Sequence, residues 1–404
     1  MMKLIVAFFG LFLLLAVLAI VWRTVWKRHS EKEFFGNIGL KGYDGRFPKY
    51  RGQYTVNRFL KRIRFKSRIP PDKWEKAKPD IEMFYNKRVY KIEPKENDIR
   101  TIDIFLIEEQ LPNYIEWKDD FMVDGRRFAI GVGYCGKVIW DCTVLPHGLI
   151  AGASSAGKTS IIRSILHQAI IKKWNILIFD LKCGGDYASA EQEAQKYRDL
   201  EQGYGPFIIS DPEEARQLLL ALTIEVKSRL GAFKEAGVSN ITEYNASRRG
   251  HFVPWLVVLD EAAELLDAKA KDKAEKEMYA EIDHYLRTLA RISRAAGVHI
   301  LMGFIRPSSD VLDGQIKNNL LWRCCGYFAD SAASRIVLEN DRATELSPEI
   351  KGRFIVGDEE TQAYYLPIPK DSGKASDMND DGDSGGEAER EPAEPPAAES
   401  GGAT

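Results

Sequence analysis

Cysteine is scarce in this chain of 404 residues, which holds only five, an odd number. They are scattered and lack the paired spacing of zinc ligands, so the sequence predicts neither a zinc-binding domain nor a disulfide scaffold. The pattern indicates reduced thiols of the kind found in the cytosol. The five are Cys135, Cys142, Cys183, Cys324 and Cys325, and the last two are predicted to lie in a strand.

An excess of charge of one sign is lacking as well. The chain has 57 Lys and Arg against 59 Asp and Glu, a net charge of −2 at pH 7, so the total gives no indication of a nucleic-acid partner. The charges are nevertheless segregated along the chain. The length exceeds that of one small domain and predicts two or three structural units, and the hydrophobic fraction of 45% suffices for a buried core.

One glycine-rich stretch stands out, Gly152-Ala-Ser-Ser-Ala-Gly157-Lys158-Thr159. It follows an apolar run and precedes a helical pattern, which is the setting that a phosphate-binding loop requires. Gly152 and Gly157 allow backbone N–H groups to converge on phosphate oxygens at a positive helix end. Lys158 would neutralise phosphate charge and Thr159 would offer its hydroxyl to Mg²⁺, so we predict a site for ATP and Mg²⁺.

Two acids follow an apolar strand about a hundred residues later. The sequence Trp255-Leu-Val-Val-Leu-Asp260-Glu261 ends a predicted buried strand with both carboxylates. Asp260, beside the phosphate loop, would hold Mg²⁺ through water, and Glu261 would polarise the water that attacks the γ-phosphate. The spacing therefore predicts that Lys158 and the two acids meet around one bound triphosphate.

The order of elements predicts the fold class. Apolar strands at 174–180, 255–259 and 298–302 alternate with helical patterns at 212–237 and 281–296, the second ending before Gly297. This alternation is typical of an α/β fold with a mostly parallel, doubly wound sheet and its site at the carboxyl ends of the strands. We predict a P-loop NTPase core.

A single long apolar run, Leu4 to Trp22, is uninterrupted by charge and just long enough to cross a hydrocarbon core of about 30 Å. Val17-Leu-Ala19 also fits a signal-peptide cleavage site, but export would separate the nucleotide site from ATP. We therefore expect an uncleaved anchor in the cell membrane. The positive charges lie mainly after the run, which predicts a cytoplasmic location for the rest of the chain.

The stretch from Lys41 to Arg68 has ten basic residues and one acid, Asp44, interleaved with six aromatic residues. A basic segment close to a membrane anchor is typical of a contact with anionic lipid. Cations with stacking rings equally suit a nucleic acid, and a plain solvated linker is the third alternative. The sequence leaves these three open.

Two further regions complete the predicted organisation. Ile102 to Ile107 has strand character, and 128–132 followed by 137–140 suggests a hairpin, within a small adaptor. From Asp371 onward the chain is acidic, nearly without apolar residues, and predicted to be disordered. The predicted regions are an anchor at 1–29, a basic-aromatic segment at 30–71, an adaptor at 72–130, the ATPase motor at 131–369 and the acidic tail at 370–404.

Over residues 131–369 the chain resembles the FtsK/SpoIIIE family of DNA translocases, because several motifs occur in that family's order. They are Pro146-His147, the phosphate loop, Asp180-Leu-Lys182, Gly237-Val-Ser-Asn-Ile-Thr-Glu-Tyr-Asn245, Asp260-Glu-Ala-Ala-Glu-Leu265, Arg294-Ala-Ala-Gly-Val-His299, Arg306-Pro307, Gly314-Gln-Ile-Lys317-Asn-Asn319 and Ser334-Arg335-Ile-Val-Leu338.

The resemblance implies a RecA-like core in a homo-oligomeric ring, with six subunits the expected number, that hydrolyses ATP and moves along double-stranded DNA. By position it implies nucleotide binding by Gly152, Ser155, Ala156, Gly157, Lys158, Thr159 and Ser160 and Mg²⁺ binding by Thr159 and Asp260. It implies catalytic roles for Lys158, Glu261 and, at a subunit contact, Arg335. Lys317 and Asn319 would lie near the DNA channel. Other arginines that could act on a neighbouring nucleotide are Arg287, Arg291, Arg294 and Arg306.

Two features depart from the chromosomal translocases. The family usually has Thr-Gln before Arg306-Pro307, whereas this chain has Phe304-Ile305, and isoleucine cannot relay the state of a γ-phosphate as glutamine can. One apolar run with a compact adaptor and a lone motor is more similar to the coupling proteins of Gram-positive conjugative elements, which bring DNA and its relaxase to a transfer channel. We therefore expect a membrane-anchored DNA-translocating coupling protein. The alternatives are a chromosome or plasmid segregation pump and a protein-secretion ATPase or scaffold.

Overall fold

The part of the chain that the structure describes folds around two β-sheets, one of four strands and one of ten. A computed structural model describes residues 29–182, 187, 190, 207–267, 272–308, 310–312 and 314–367. The small sheet contains β1 (Lys49–Thr55), β2 (Leu60–Lys66), β3 (Val89–Lys95) and β4 (Asp98–Ile107). The large sheet contains β5 (Arg127–Gly133), β6 (Gly136–Asp141), β7 (Gly148–Ala151), β8 (Asn175–Phe179), β9 (Phe207–Ile209), β10 (Trp255–Leu259), β11 (Val298–Phe304), β12 (Trp322–Gly326), β13 (Arg353–Val356) and β14 (Glu359–Ala363). The helices are α1 (Pro71–Lys76), α2 (Lys78–Tyr85), α3 (Lys158–Ile171), α4 (Pro212–Ala236), α5 (Ile241–Ala246), α6 (Ala263–Leu266), α7 (Lys273–Ala296), α8 (Gly314–Lys317) and α9 (Ser331–Leu338).

The predicted anchor segment from Leu4 to Trp22 and the predicted acidic tail lie outside the described residues. Among the helices of the described residues, none combines the length and the apolar character needed to span a bilayer. The anchor and the tail therefore stay predictions.

The parallel half of the large sheet confirms the predicted α/β architecture. Six strands run in the order β12-β7-β11-β10-β8-β9, and every neighbouring pair among them is parallel. The phosphate-loop strand β7 is thus separated from the acid-bearing strand β10 by one strand, β11. Because parallel strands end at the same edge, the residues that follow β7, β8, β10 and β11 meet there. Cys324 and Cys325 lie in β12, as predicted.

Four antiparallel strands extend the sheet beyond β12. The predicted hairpin is confirmed as β5 and β6, and it joins the large sheet through β14 and β13. Since β5 begins at Arg127, it crosses the predicted adaptor boundary at residue 130. The sequence pattern identified this hairpin, but its pairing with a strand more than two hundred residues away was not visible in it.

Both faces of the large sheet are buried, as a doubly wound sheet requires. In β10, Val257 and Leu259 join a core cluster with α4 and α7, whereas Leu256 and Val258 join a second cluster with α3. Successive side chains in a strand point to opposite faces, so an uninterrupted apolar run fills both clusters. Helix α3, which follows the phosphate loop, is therefore held on one face and α4 and α7 on the other.

Helix α7 begins eight residues before the predicted start at 281. Asp272 caps it by accepting a hydrogen bond from the Glu275 N–H at 2.9 Å, and the Glu275 side chain bonds back to the Asp272 N–H. The first two turns are largely polar and exposed, so an apolar repeat could not reveal them. The predicted end is confirmed, because Gly297 takes a left-handed conformation with φ of +75°.

The small sheet joins the predicted basic-aromatic segment and the predicted adaptor. Its strand order is β1-β2-β4-β3, so residues from 30–71 and from 72–130 share one sheet. Trp74 of α1 is fully buried against Phe35 and Phe65, in the core of the same unit. The predicted boundary near residue 71 is therefore wrong. Pro71 begins a helix, a position where its fixed φ is favourable, and does not mark a linker.

Two histidines are buried together at the amino edge of the parallel strands. Backbone N–H of Ile300 donates to Nδ1 of His147 at 3.1 Å, and Nδ1 of His299 lies 3.0 Å from the Pro146 carbonyl. Burial lowers the pKa of His147 to about 4 and, with repulsion from His147, lowers the pKa of His299 to about 3. Both imidazoles are therefore neutral in the folded chain at neutral pH.

This pair predicts a loss of stability in mild acid. Below about pH 6.5 the unfolded chain binds a proton at each histidine, whereas the folded chain does not until about pH 4. The free energy of unfolding should therefore fall as pH decreases from 6.5, by up to about 1.4 kcal/mol per pH unit for each histidine. Urea unfolding between pH 7.5 and 5 measures this slope. His299→Gln should reduce it and His251→Gln, at an exposed position, should not; equal slopes in all three chains would contradict the prediction.

Candidate nucleotide-binding site

The predicted phosphate loop connects β7 to α3 and has the backbone of an anion cradle. Ser155 and Gly157 take left-handed conformations, with φ of +66° and +104°. Gly157 immediately precedes Lys158, the first residue of α3. The first N–H groups of a helix have no partner within the helix, and those of α3 therefore face the loop. A Cβ at Gly157 would lie 3.0 Å from the backbone nitrogen of Gly352, so both the conformation and the space require glycine.

Backbone hydrogen bonds connect this loop to the end of β11, to the residue after β12 and to the residue before β13. The N–H of Gly152 donates to the Phe304 carbonyl at 3.2 Å, and the N–H of Gly352 donates to the Ala156 carbonyl at 2.9 Å. The N–H of Ala153 donates to the Tyr327 carbonyl at 3.3 Å. Sequence reasoning missed Gly352, because it lies nearly two hundred residues from the loop and belongs to none of the motifs.

Lys158 and Asp260 meet, as the sequence predicts. The Lys158 ammonium donates to the carbonyl oxygen of Asp260 at 2.5 Å and to its carboxylate Oδ1 at 2.6 Å. Both side chains are almost fully buried, with 7% and 12% exposed. A lysine and an aspartate separated by 102 positions thus form one charged pair in a single cleft.

Glu261 lies beside this pair and is held by two further groups. Backbone N–H of Ile305, which follows β11, donates to its Oε2 at 2.9 Å, and Lys182 Nζ lies 3.7 Å from the same oxygen. Burial raises the pKa of Glu261, while Lys158, the Ile305 N–H and Lys182 act to lower it. The carboxylate is thus both desolvated and oriented, as expected of a general base.

The contact with Ile305 bears on the departure from the family pattern. The hydrogen bond to Glu261 comes from the main chain, which any residue other than proline supplies. The hydrogen bond between residue 305 and Glu261 therefore does not require a glutamine side chain at position 305. Lys182 belongs to the motif Asp180-Leu-Lys182, and only the tertiary structure shows that it lies beside Glu261.

The residues present fit ATP with Mg²⁺. A glycine loop at a helix start, a buried lysine and two neighbouring acids provide amide donors, a cation and oxygen ligands. The described residues contain no cluster of three or more histidine, cysteine or acidic side chains that would enclose a metal. Mg²⁺ is commonly held by one or two protein oxygens together with phosphate oxygens, and Thr159 and Asp260 match that pattern.

The remaining predicted site residues have partners away from this cleft. Arg335 is 64% exposed and binds Asp341 through two hydrogen bonds of 2.5 and 2.6 Å. Lys317 is only 20% exposed and lies 3.3 Å from Glu339, and the Asn319 amide donates to the Gln315 carbonyl at 2.8 Å.

The arginine stripe of α7 and Arg306 are also placed by the structure. Arg287 pairs with Asp283 at 2.6 Å on the same helix, and Arg294 donates to the Thr143 carbonyl at 3.0 Å. Arg291 and Arg306 are exposed. No contact within the described chain distinguishes one of these arginines as the group that acts on a neighbouring subunit.

Fold and site together define a P-loop NTPase in which one strand separates the phosphate-loop strand from the acid-bearing strand. The model of the FtsK/SpoIIIE family matches residues 115–309. Among solved structures, the pCW3 conjugation coupling protein TcpA, in its monomer form with ATPγS, is 31% identical with a TM-score of 0.60. That likeness covers 84% of this chain and 95% of TcpA. The chain belongs to the FtsK/SpoIIIE family.

Other relatives match a smaller part of the chain. The DNA translocase FtsK of Oceanobacillus iheyensis is 30% identical over 234 residues, which cover 54% of this chain and 28% of that protein. The chain thus spans less than a third of the length of this curated relative. EssC of Geobacillus thermodenitrificans, ATPases 2 and 3, is 18% identical with a TM-score of 0.50 over 66% of this chain and 49% of that one, and it shows the fold alone.

Proposed function

We propose that this protein is a membrane-anchored, ATP-dependent DNA translocase that serves as the coupling protein of a conjugative transfer system. One observation carries the proposal: the likeness to the conjugation coupling protein TcpA covers 95% of that chain. The matched 84% of this chain is longer than the motor region 131–369, so the likeness extends beyond the motor. The apolar run from Leu4 to Trp22 supports the membrane anchor.

The site supports ATP hydrolysis through the following roles. The loop from Gly152 to Ser160 would bind the phosphates, with Lys158 supplying positive charge, and Thr159 and Asp260 would hold Mg²⁺. The ion, when bound, neutralises charge that develops on the phosphate oxygens. Glu261, oriented by the Ile305 N–H, would accept a proton from the attacking water.

Assembly and DNA contact are parts of the same proposal. We propose a homo-oligomeric ring in which Arg335 acts on the neighbouring nucleotide, since it is exposed and would only have to exchange Asp341 for phosphate. Lys317 and Asn319 would have to leave Glu339 and the Gln315 carbonyl, their partners within the chain, in order to contact DNA. A relaxase and channel proteins would be the further partners of a coupling protein.

ATP turnover of the full chain in neutral detergent tests the proposal directly. We expect hydrolysis that requires Mg²⁺ and increases when double-stranded DNA is added. Reactions with single-stranded DNA and without DNA show which form of DNA is the substrate. Absence of ATP turnover with single-stranded DNA, with double-stranded DNA and without DNA would contradict the proposed motor. Mating that continues in cells carrying the Lys158→Ala variant would contradict the role in transfer.

Lys182 provides a test of how Glu261 is tuned. Lys182→Met removes a positive charge 3.7 Å from Oε2 of Glu261, so the pKa of this carboxyl should rise further. Glu261 acts ionised, and the acid limb of the pH–turnover profile should therefore shift to higher pH, with little change at alkaline pH. Lys173→Met is the matched control. A profile that falls uniformly at all pH values would indicate a structural role for Lys182 instead.

A segregation pump is the second candidate, and the curated relatives named DNA translocase FtsK favour it. The two candidate functions predict different defects in a cell from which the gene is deleted. Deleting the gene should abolish mating if the protein is a coupling protein, and should leave DNA trapped at septa if it is a segregation pump. For a protein-secretion role, the likeness to EssC supports only the shared fold.

A further inference from the structure

A small basic cavity lies on the four-stranded sheet, apart from the nucleotide site. Its volume is about 180 Å³, and nine residues line it. Edge strand β1 contributes two of them, and the rest come from the preceding loop, from β2 and its end, and from β4. Six of the nine are basic: Arg46, Lys49, Arg51, Lys66, Arg68 and Arg100.

Acidic groups balance only part of this charge. Asp44 is the only acid in the lining, and it already lies 3.1 Å from Arg68 and 3.8 Å from Arg46. Among the described residues, no acidic side chain lies within 4 Å of the charged groups of Lys49, Arg51, Lys66 or Arg100. Asp98 lies next to them: it accepts from the Arg100 N–H at 3.2 Å, and hydrogen bonds from Thr101 and Arg100 together with the charges of Lys66 and Lys95 lower its pKa. The cavity therefore keeps a local excess of positive charge.

The pairing of β1 with β2 places several of these cations close together, and their repulsion destabilises the sheet. Lys49 of β1 lies directly opposite Lys66 of β2, and like charges in that relation destabilise a sheet. A bulge between Tyr50 and Gly52 leaves Arg51 unpaired in the ladder, and its side chain lines the same cavity. An anion in the cavity would offset the repulsion among the three.

We propose that this cavity binds the phosphate of an anionic phospholipid headgroup at the bilayer surface. The volume suits one phosphate-bearing group. The only aromatic residue in the lining is Phe47, which packs against the core cluster of the small sheet, so the cavity offers no row of rings for stacking bases. Tyr43, on the adjoining loop, is 86% exposed, and tyrosine is enriched at the level of lipid headgroups.

The chain length places the cavity near a membrane if the anchor is correct, and in this respect the inference rests on the proposed function. From Trp22 to His29 the chain spans at most about 25 Å. Residues 29–37 are helical, and a Cβ at Gly36 would lie 3.8 Å from the Phe47 ring, so this helix adjoins the cavity wall. A bilayer that holds the segment from Leu4 to Trp22 is therefore within reach of the cavity.

The test uses the full chain in neutral detergent, titrated with phosphatidylglycerol or phosphatidylcholine, with bound lipid counted by native mass spectrometry. We expect the unchanged chain to prefer phosphatidylglycerol. The triple variant Lys49→Gln, Lys66→Gln, Arg100→Gln should lose that preference, with an affinity for phosphatidylglycerol lower by on the order of a hundredfold. It should also fold, because it removes the repulsion between Lys49 and Lys66.

A matched control keeps the charge change equal. Lys227→Gln, Lys273→Gln, Lys276→Gln removes three positive charges from exposed helix positions and should bind phosphatidylglycerol as the unchanged chain does. Equal lipid binding by both triple variants would overturn the proposal. So would saturation of the cavity by inorganic phosphate at concentrations that leave phosphatidylglycerol unbound.

Duplex DNA binding and ATP turnover, measured on the same chains, separate the remaining outcomes. If the cavity variant loses duplex binding and keeps its lipid preference, the cavity belongs to a nucleic-acid surface and the proposal is overturned. If lipid preference is lost while DNA-stimulated turnover is retained, the lipid site is supported. An unchanged chain that hydrolyses no ATP would count against the proposed motor and leave the lipid result unaffected.

Discussion

Glu261→Gln is expected to lower ATP turnover by about a hundredfold to ten-thousandfold, the range found when a general base is removed. The amide keeps the size of the side chain but cannot accept the proton of the attacking water. Binding of ATP should be retained, because the loop residues and Lys158 are unchanged. Steady-state turnover and equilibrium binding of a fluorescent ATP analogue measure the two effects separately.

Glu264→Gln is the control for this prediction, since Glu264 is exposed and lies only three residues further along the chain. Its turnover should match that of the unchanged protein. If Glu261→Gln retains more than about a tenth of the turnover, another group acts as the base. A matching loss of ATP binding would instead indicate that Glu261 shapes the site.

Lys158→Met is expected to have two large effects at once. The site loses the cation that neutralises phosphate charge, so ATP binding should weaken by about a hundredfold or more. The change also leaves the Asp260 carboxylate without its partner in a nearly closed site, where only 12% of that side chain is exposed. Removing one member of a buried ion pair costs about 3–5 kcal/mol, so the free energy of unfolding should decrease by a similar amount.

The double variant Lys158→Met, Asp260→Asn separates these effects. It removes both charges, so the free energy of unfolding should recover most of its loss relative to Lys158→Met, while ATP binding stays weak. Urea unfolding and the binding assay measure the two quantities on the same protein. A double variant that is less stable than Lys158→Met would show that the pair does not dominate the local energetics.

The contact between position 305 and Glu261 does not use the side chain of residue 305. The backbone N–H of Ile305 contacts Glu261 at the carboxyl end of β11, which lies between β7, the strand before the phosphate loop, and β10, the strand before Asp260. A shift of β11 relative to β10 would therefore move the hydrogen bond to the proposed base. The absence of glutamine at this position does not remove the link between the two strands.

Local sequence patterns were sufficient to predict those elements whose characteristic residues lie within one short stretch of the chain. The apolar strands β8, β10 and β11, the loop with its glycines and the hairpin of β5 and β6 were all predicted from short windows. The start of α7 was not, because a capping box and polar turns begin it. The boundary near residue 71 was also misplaced, since Pro71 begins helix α1, whose Trp74 packs in the core of the same unit as the basic-aromatic segment.

The sequence by itself determined the phosphate loop, the acid pair and the alternation of strands and helices, because backbone conformation and burial depend on neighbouring residues. Only the tertiary structure decided that Gly352 supports the loop, that Lys182 and the Ile305 N–H hold Glu261, and that Lys49 faces Lys66. Each of these contacts joins residues on different strands or loops. Which strands become neighbours is set by how the whole chain buries its apolar faces, and no short stretch of sequence contains that information.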